Sequence, residues 1–199
     1  VALAKKEVSG VSGIDIFAGP SEVTIVADKN SNPEWISADL IAQSEHDEMS
    51  QSILVSNSND LINKVQYYLN KQIKFLPKKK IASISLSKFG LAILVKNSRE
   101  VSETINMIAP EHLQIYTKKP EKYLKSIDNA GSIFLGPYSP EAVGDYLAGP
   151  NHVLPTSGTA KFSSGLSVID FLKRQSVIKI SKRGIEKLGP SVVTLSKYE

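Results

Sequence analysis

The sequence predicts an α/β protein: a mainly parallel, Rossmann-like sheet with helices on both faces, followed by a small C-terminal helical appendage. The first observation is an alternation. Short β-branched runs are each followed by a helical stretch of about ten residues, the rhythm of β-α-β crossovers. The second is composition: 199 residues, 41% hydrophobic and 22% charged, hold enough apolar material to bury a core. The third is that the alternation stops after Leu135, where a stretch rich in Gly, Pro, Ser and Asn takes over. On this reading an α/β domain spans residues 1–174, and a small helical segment starts over 175–199.

Val23-Thr24-Ile25-Val26-Ala27 is short and β-branched, so it reads as the first strand. Asn32-Pro33-Glu34 then opens a helix with a capping residue, a proline at the first helical position and an acid at the positive helix end. That helix runs toward Ser44. Strands are expected over 52–55, 90–95, 112–116 and 132–135, and helices over 60–69, 98–108 and 119–127. In sheets of this kind ligands gather beyond the carboxyl ends of the strands. Residues 136–165 are too long for an ordinary connection and read as functional or disordered. A short strand is expected from Ser176, then a helix from Lys182 interrupted at Gly189-Pro190.

The chain holds no cysteine. That removes disulfides, thiolate metal sites and a cysteine nucleophile from this stretch, and fits a reducing cytoplasm. No apolar run approaches the roughly 18 residues a membrane span requires, and Val1-Ala2-Leu3-Ala4-Lys5-Lys6-Glu7 turns charged too soon for a signal peptide. The net charge of +4 comes from scattered lysines and short runs such as Lys78-Lys79-Lys80. Without an aromatic-rich basic stripe it reads as a solvated surface, not a nucleic-acid interface. The chain opens without methionine in what reads as mid-helix and stops at Lys197-Tyr198-Glu199 without a turn signal, so both ends read as cut.

The three histidines mark the places where chemistry is expected. Gln43 and His46 are three apart on one helical face and can reach one small ligand, imidazole and amide oxygen both being metal donors; equally, they can form a polar helix end. Glu111 and His112 follow Ala109-Pro110, where the proline pushes Ala109 out of helical geometry and holds the pair in a turn. They can serve as acid and base if a pocket tunes them, or lie solvated. Asp145 sits in the long polar loop as a carboxylate ligand or an Asx-turn or helix cap. Ser21, in Gly19-Pro20-Ser21-Glu22, can hold a polar substrate group or belong to a plain turn. No G-x-G-x-x-G follows a strand, so the usual dinucleotide fingerprint is missing.

Together these fragments say more. The blocks Ile14-Asp15-Ile16-Phe17-Ala18-Gly19-Pro20-Ser21-Glu22-Val23, Gln43-Ser44-Glu45-His46, Ala109-Pro110-Glu111-His112 and Ala130-Gly131-Ser132-Ile133-Phe134-Leu135-Gly136 resemble the histidinol dehydrogenase family in order and spacing. So does the run from Ser139-Pro140-Glu141-Ala142 through Gly144-Asp145-Tyr146 and Asn151-His152-Val153-Leu154-Pro155-Thr156 to Ser164-Gly165-Leu166-Ser167-Val168. The resemblance implies a zinc-dependent enzyme that oxidises L-histidinol to L-histidine through an aldehyde, reducing NAD in each of two hydride transfers. It implies Gln43, His46 and Asp145 as zinc ligands, and Ser21, Gln43, His46, His112 and Asp145 as substrate contacts. Glu111 and His112 become the acid–base pair, with His112 relaying the alcohol proton and Glu111 activating water against the aldehyde. His152 and Asn151 match the family pattern but receive no chemical role; a structural histidine bonded to loop carbonyls is expected.

The resemblance also implies chain before Val1 that supplies most of the NAD contacts. It implies a tail beyond Glu199 that completes the zinc and substrate site across a homodimer. The segment alone is therefore expected to be inactive. Two other readings compete: a related metal-dependent dehydrogenase of another amino or sulfonated alcohol, and a non-catalytic remnant that keeps a metal- or ligand-binding surface. Retention of both Glu111 and His112 argues against the remnant, because binding alone needs no acid–base pair.

Overall fold

The computed structural model describes residues 1–198. They divide into two compact units, Val1–Ser167 and a second from Val168 onward. In the first, α1 (Ala2–Val8) is followed by β1 (Glu22–Ala27), α2 (Pro33–Ser44), β2 (Gln51–Ser56), α3 (Asn59–Gln72), α4 (Lys79–Phe89), β3 (Gly90–Leu94), α5 (Ser98–Ile108), β4 (His112–Ile115), β5 (Ser132–Leu135) and α6 (Glu141–Tyr146). The strands form one sheet in the order β3-β2-β1-β4-β5, with every neighbouring pair parallel. This is the parallel α/β architecture that the alternation predicts.

Local chemistry sets the helix starts. Asn32 Oδ1 accepts from the N–H groups of Glu34 and Trp35 at 2.9 and 3.4 Å, ahead of Pro33. Asn97 does the same for α5, accepting from Arg99 and Glu100 at 3.0 Å each. Each cap contributes about 1 kcal/mol. Both sheet faces are covered. Val26, Ile53, Val55, Leu113 and Ile115 pack against Val101 and Ile105 of α5. Val23, Ile25, Leu54 and Tyr116 pack against Ile36 and Leu40 of α2 and Leu61 and Val65 of α3.

On the α2 face, however, the strand is polar. His112, Gln114 and Tyr116 alternate with Leu113 and Ile115, so all three point toward α2, where Asp39 and Gln43 stand one turn apart. Tyr116 Oη and Gln114 Nε2 both donate to Asp39 Oδ2, the latter at 3.3 Å. This buried polar seam between β4 and α2 leads down to the start of the strand.

Some elements differ from expectation. Residues 79–89, where the lysines read only as a solvated run, form α4; its Ala82 and Ser85 are buried, and Ser85 Oγ donates to the Ser50 carbonyl at 2.8 Å. The expected helix over 119–127 shrinks to a single 3-10 turn, Pro120–Tyr123. Asn106 captures the backbone that would have continued it, accepting from Asp128 and Asn129 at 2.8 and 3.2 Å. The long loop contains α6. In the second unit no strand forms over residues 176–181, since that unit offers no neighbouring strand to pair with. A helix, α7 (Lys182–Leu195), runs through Pro190 instead of breaking there; proline removes only one interior donor, and Ser181 Oγ caps the start by accepting from Gly184 at 3.1 Å.

Candidate functional site

The buried polar groups gather at the amino-terminal edge of the sheet, not beyond the carboxyl ends. His112 is the first residue of β4 and pairs with Val23 of β1 and Ser132 of β5. The connecting helices run back against the strands, which brings the end of α2 and the body of α6 to the strand starts. The turn into β4 is unusual. Ala109, wholly buried, closes α5 in the left-handed region at φ 52° and ψ 60°, a conformation that costs about 1–2 kcal/mol for a residue with a Cβ. The proline after it excludes continued helix, so Glu111 and His112 turn inward. They are 6% and 4% exposed, not solvated.

Glu22, at the start of β1, pins this pair. Its N–H donates to Glu111 Oε2 at 2.8 Å, its carbonyl faces His112 Nδ1 at 3.1 Å, and its own carboxylate accepts from the Ser157 N–H at 2.8 Å. A carbonyl can only accept, so Nδ1 carries the proton and Nε2 presents a lone pair. Among the described residues His112 Nε2 is buried without a hydrogen-bond partner; it lies 3.6 Å from Asp145 Oδ1. Glycine is required where Gly131 leads into β5. Its N–H bonds the Pro110 carbonyl at 2.9 Å, and a Cβ there would meet the Glu111 carbonyl oxygen at 2.6 Å.

Carboxyl groups crowd around the imidazole. Glu141 Oε1 is 3.6 Å from His112 Nδ1, and His112, Glu141 and Asp145 offer ligand atoms all within 4.8 Å of one another. Burial pushes the Glu111 carboxyl up to about 8, opposed by the Glu22 N–H and reinforced by the charges of Glu22 and Asp145. Burial first, then the charges of Asp145, Glu111 and Asp39, push Glu141 up to about 9. Burial also lowers His112 and keeps it neutral. Crowded, desolvated carboxyls of this kind would be relieved by a divalent cation, for which Asp145 offers an oxygen donor.

Of the candidates named from the sequence, the structure brings Glu111, His112, Gln43 and Asp145 to this one region. Gln43 is 1% exposed at the end of α2 and meets Glu141. Asp145 is half-buried on α6, one turn after Glu141. Ser21 is half-buried just before β1, and its carbonyl accepts from Gln51 at 3.0 Å. His46 is exposed in the turn after α2, outside the His112–Glu141–Asp145 cluster. His152 is exposed and lines a cavity of about 350 Å³ with His112, Phe134, Tyr138, Asp145 and Asn151; among the described residues it makes no bond to loop carbonyls. A second cavity of about 350 Å³, between α3 and α4, is mainly apolar and holds none of the candidates. Sequence reasoning missed the parts played by Glu22 and Glu141. A signal for Glu141 existed, in Pro140-Glu141 followed at helical spacing by Asp145.

The family model described as histidinol dehydrogenase matches residues 1–199. A histidinol dehydrogenase from Pelagibacter ubique is 54% identical over 200 residues, covering 100% of this chain and 47% of its own length. One from Zymomonas mobilis is 48% identical over 199 residues, with 46% of its length covered. The crystal structure of histidinol dehydrogenase from Elizabethkingia anophelis superposes with a TM-score of 0.91 at 37% identity, covering 100% of this chain and 46% of that one. The chain thus spans just under half the length of the relatives it matches, and over that whole span it belongs to the histidinol dehydrogenase family.

Proposed function

We propose that a full-length protein carrying this segment oxidises L-histidinol to L-histidine through the aldehyde, reducing NAD in each of two steps. The observation that supports this reading most directly is the buried Glu111–His112 pair, pinned by Glu22, with His112 opening onto the cavity beside Asp145. His112 Nε2, unprotonated, takes the alcohol proton, and NAD, when bound, would supply the acceptor for the hydride of the carbinol carbon. Glu111 then accepts a proton from the water that adds to the aldehyde, and a second NAD, when bound, would take the hydride of the resulting hydrate. No cysteine is present to form a thiohemiacetal, so water is the nucleophile this segment can activate.

The residues present fit a divalent cation, because carboxyls pushed up by burial and mutual repulsion are relieved by positive charge. Gln43 and Asp145 would hold it from this region, His46 would have to come in from the turn after α2, and ligands from outside the segment would complete the shell. When bound, zinc would orient the imidazole and amine of the substrate and stabilise charge on its oxygen. NAD contacts outside this segment, a homodimer and a cytoplasmic location belong to the same proposal. No helix among the described residues is long and apolar enough to cross a membrane.

The test is NADH formation from L-histidinol by the full-length protein, with and without a chelator. Chelator-sensitive formation of two NADH per histidinol supports the enzyme, metal and substrate together. Turnover of another amino or sulfonated alcohol in preference to histidinol would sink the substrate assignment. Zinc binding without any turnover would favour a binding role.

A further inference from the structure

Gln43 and Glu141 meet where α2 and α6 reach the start of β4, and their contact decides which end of the Gln43 carboxamide faces outward. Gln43 is 1% exposed, so its amide cannot satisfy itself with bulk water. With the nitrogen turned toward Glu141, it donates to Oε1 at 2.7 Å and to Oε2 at 3.3 Å. With Glu141 ionised, as it would be beside a bound cation, the other orientation would set the amide oxygen against carboxylate oxygens, acceptor against acceptor. The first orientation commits the nitrogen and leaves Gln43 Oε1 as an acceptor with no competing donor on Glu141.

We propose that Glu141 is a positioning residue: by holding the Gln43 nitrogen, it turns the Gln43 oxygen out as a donor for the divalent cation that Asp145 also binds. Three features favour this role. Glu141 and Asp145 lie one helical turn apart, so a single short helix carries both a ligand and the group that aims another ligand. That helix is seated by Gly144, where a Cβ would lie 2.4 Å from the Phe134 ring, so α6 packs directly on β5. The Glu141 side chain is also well enclosed, at 13% exposure, which holds its carboxylate against Gln43 instead of releasing it to solvent. An outer carboxylate of this kind orders the ligand it touches and raises metal affinity without touching the metal.

The inference rests on the cation reading above, and its competitor is that Glu141 binds the ion itself. Zinc affinity of the full-length protein, measured by competition with a chromogenic chelator, separates the two. Glu141→Gln keeps an acceptor oxygen for the Gln43 nitrogen, whereas Glu141→Ala removes it. The expected result is a loss of about 10–100-fold for Glu141→Ala, and an affinity for Glu141→Gln within a few-fold of the unaltered protein. Equal, large losses in both variants would overturn the proposal and make Glu141 a direct ligand. No loss in either would overturn it too, leaving the cation site standing. Failure of the unaltered protein to bind zinc would overturn the cation reading and this role together.

Should Glu141→Ala fail to fold, the exchange of the two groups still decides. Gln43→Glu alone sets carboxylate against carboxylate and should weaken zinc binding. Adding Glu141→Gln restores an amide–carboxylate pair in reverse and should recover most of the affinity. Recovery absent from a folded double variant would overturn the positioning role.

Discussion

Glu111 carries two consequences of one burial. Ionising it inside the fold is harder than in the unfolded chain, where it titrates near 4.5, because burial pushes it up to about 8. Glu141, pushed up to about 9 from the same starting value, behaves alike. Over that interval the folded state binds protons that the unfolded chain has released. Their contribution to stability is therefore fully present below about pH 4.5 and lost as pH rises toward about 8 and 9. Urea unfolding with a chelator present should show a midpoint that falls from about pH 5 to about pH 9. Glu111→Gln, which keeps the acceptor for the Glu22 N–H, should flatten that fall; an unchanged slope would mean that Glu111 ionises freely. The second consequence is catalytic. In the proposed reaction only the hydration of the aldehyde calls on Glu111, so Glu111→Gln should arrest the second oxidation more than the first. The yield should drop toward one NADH per histidinol with aldehyde accumulating, and an equal slowing of both steps would refute the division of labour.

At the scale of elements, the placement of α6 against β5 is what brings Asp145 and Glu141 to His112. Gly144→Ala would drive a Cβ into Phe134, whose Cε1 and Cζ lie 2.4 and 2.6 Å from that position. The helix must lift off the sheet, so zinc affinity should fall several-fold even where the unfolding midpoint of the metal-free protein moves little. An unchanged affinity would show that α6 does not set the site. The polar seam behind it makes a different prediction. Tyr116→Phe leaves the half-buried Asp39 with only Gln114 as a partner and should lower stability by about 1–3 kcal/mol in urea unfolding. Such pairings explain what could be read in advance. The strand Ser132–Leu135, the helix from Pro33 to Ser44 and the helix from Ser98 to Ile108 carry their own signals in caps, proline and β-branching. The contacts of Glu22 with Glu111 and of Gln43 with Glu141 join residues 89 and 98 positions apart. No local pattern encodes which distant carboxyl will arrive. Helix α4 was hidden for another reason: its buried face is only Ala82 and Ser85, too weak an apolar stripe to show a helical period.

The whole segment leaves apolar surface uncovered in each of its units. In the first, β3 is an edge strand with Leu91 and Leu94 at 55% and 58% exposure, an unpaired apolar edge of the kind that proteins ordinarily cover. In the second, α7 presents Ile185, Leu188, Val192 and Leu195 on one face, and none is buried. The relatives it matches are about twice as long, with 46–47% of their length covered. The site points the same way, since the dinucleotide fingerprint is missing and the candidate ligands do not close a shell by themselves. Produced alone, the 199-residue segment should bind a dye that reports exposed apolar surface and form no NADH from L-histidinol. A full-length protein should bind little dye and turn over. Dye binding lost on lengthening, together with activity gained, would mean that the rest of the chain covers these surfaces and completes the site in one step. Chelator-sensitive NADH formation by the segment alone would refute that dependence, and would place a working cofactor site within these residues.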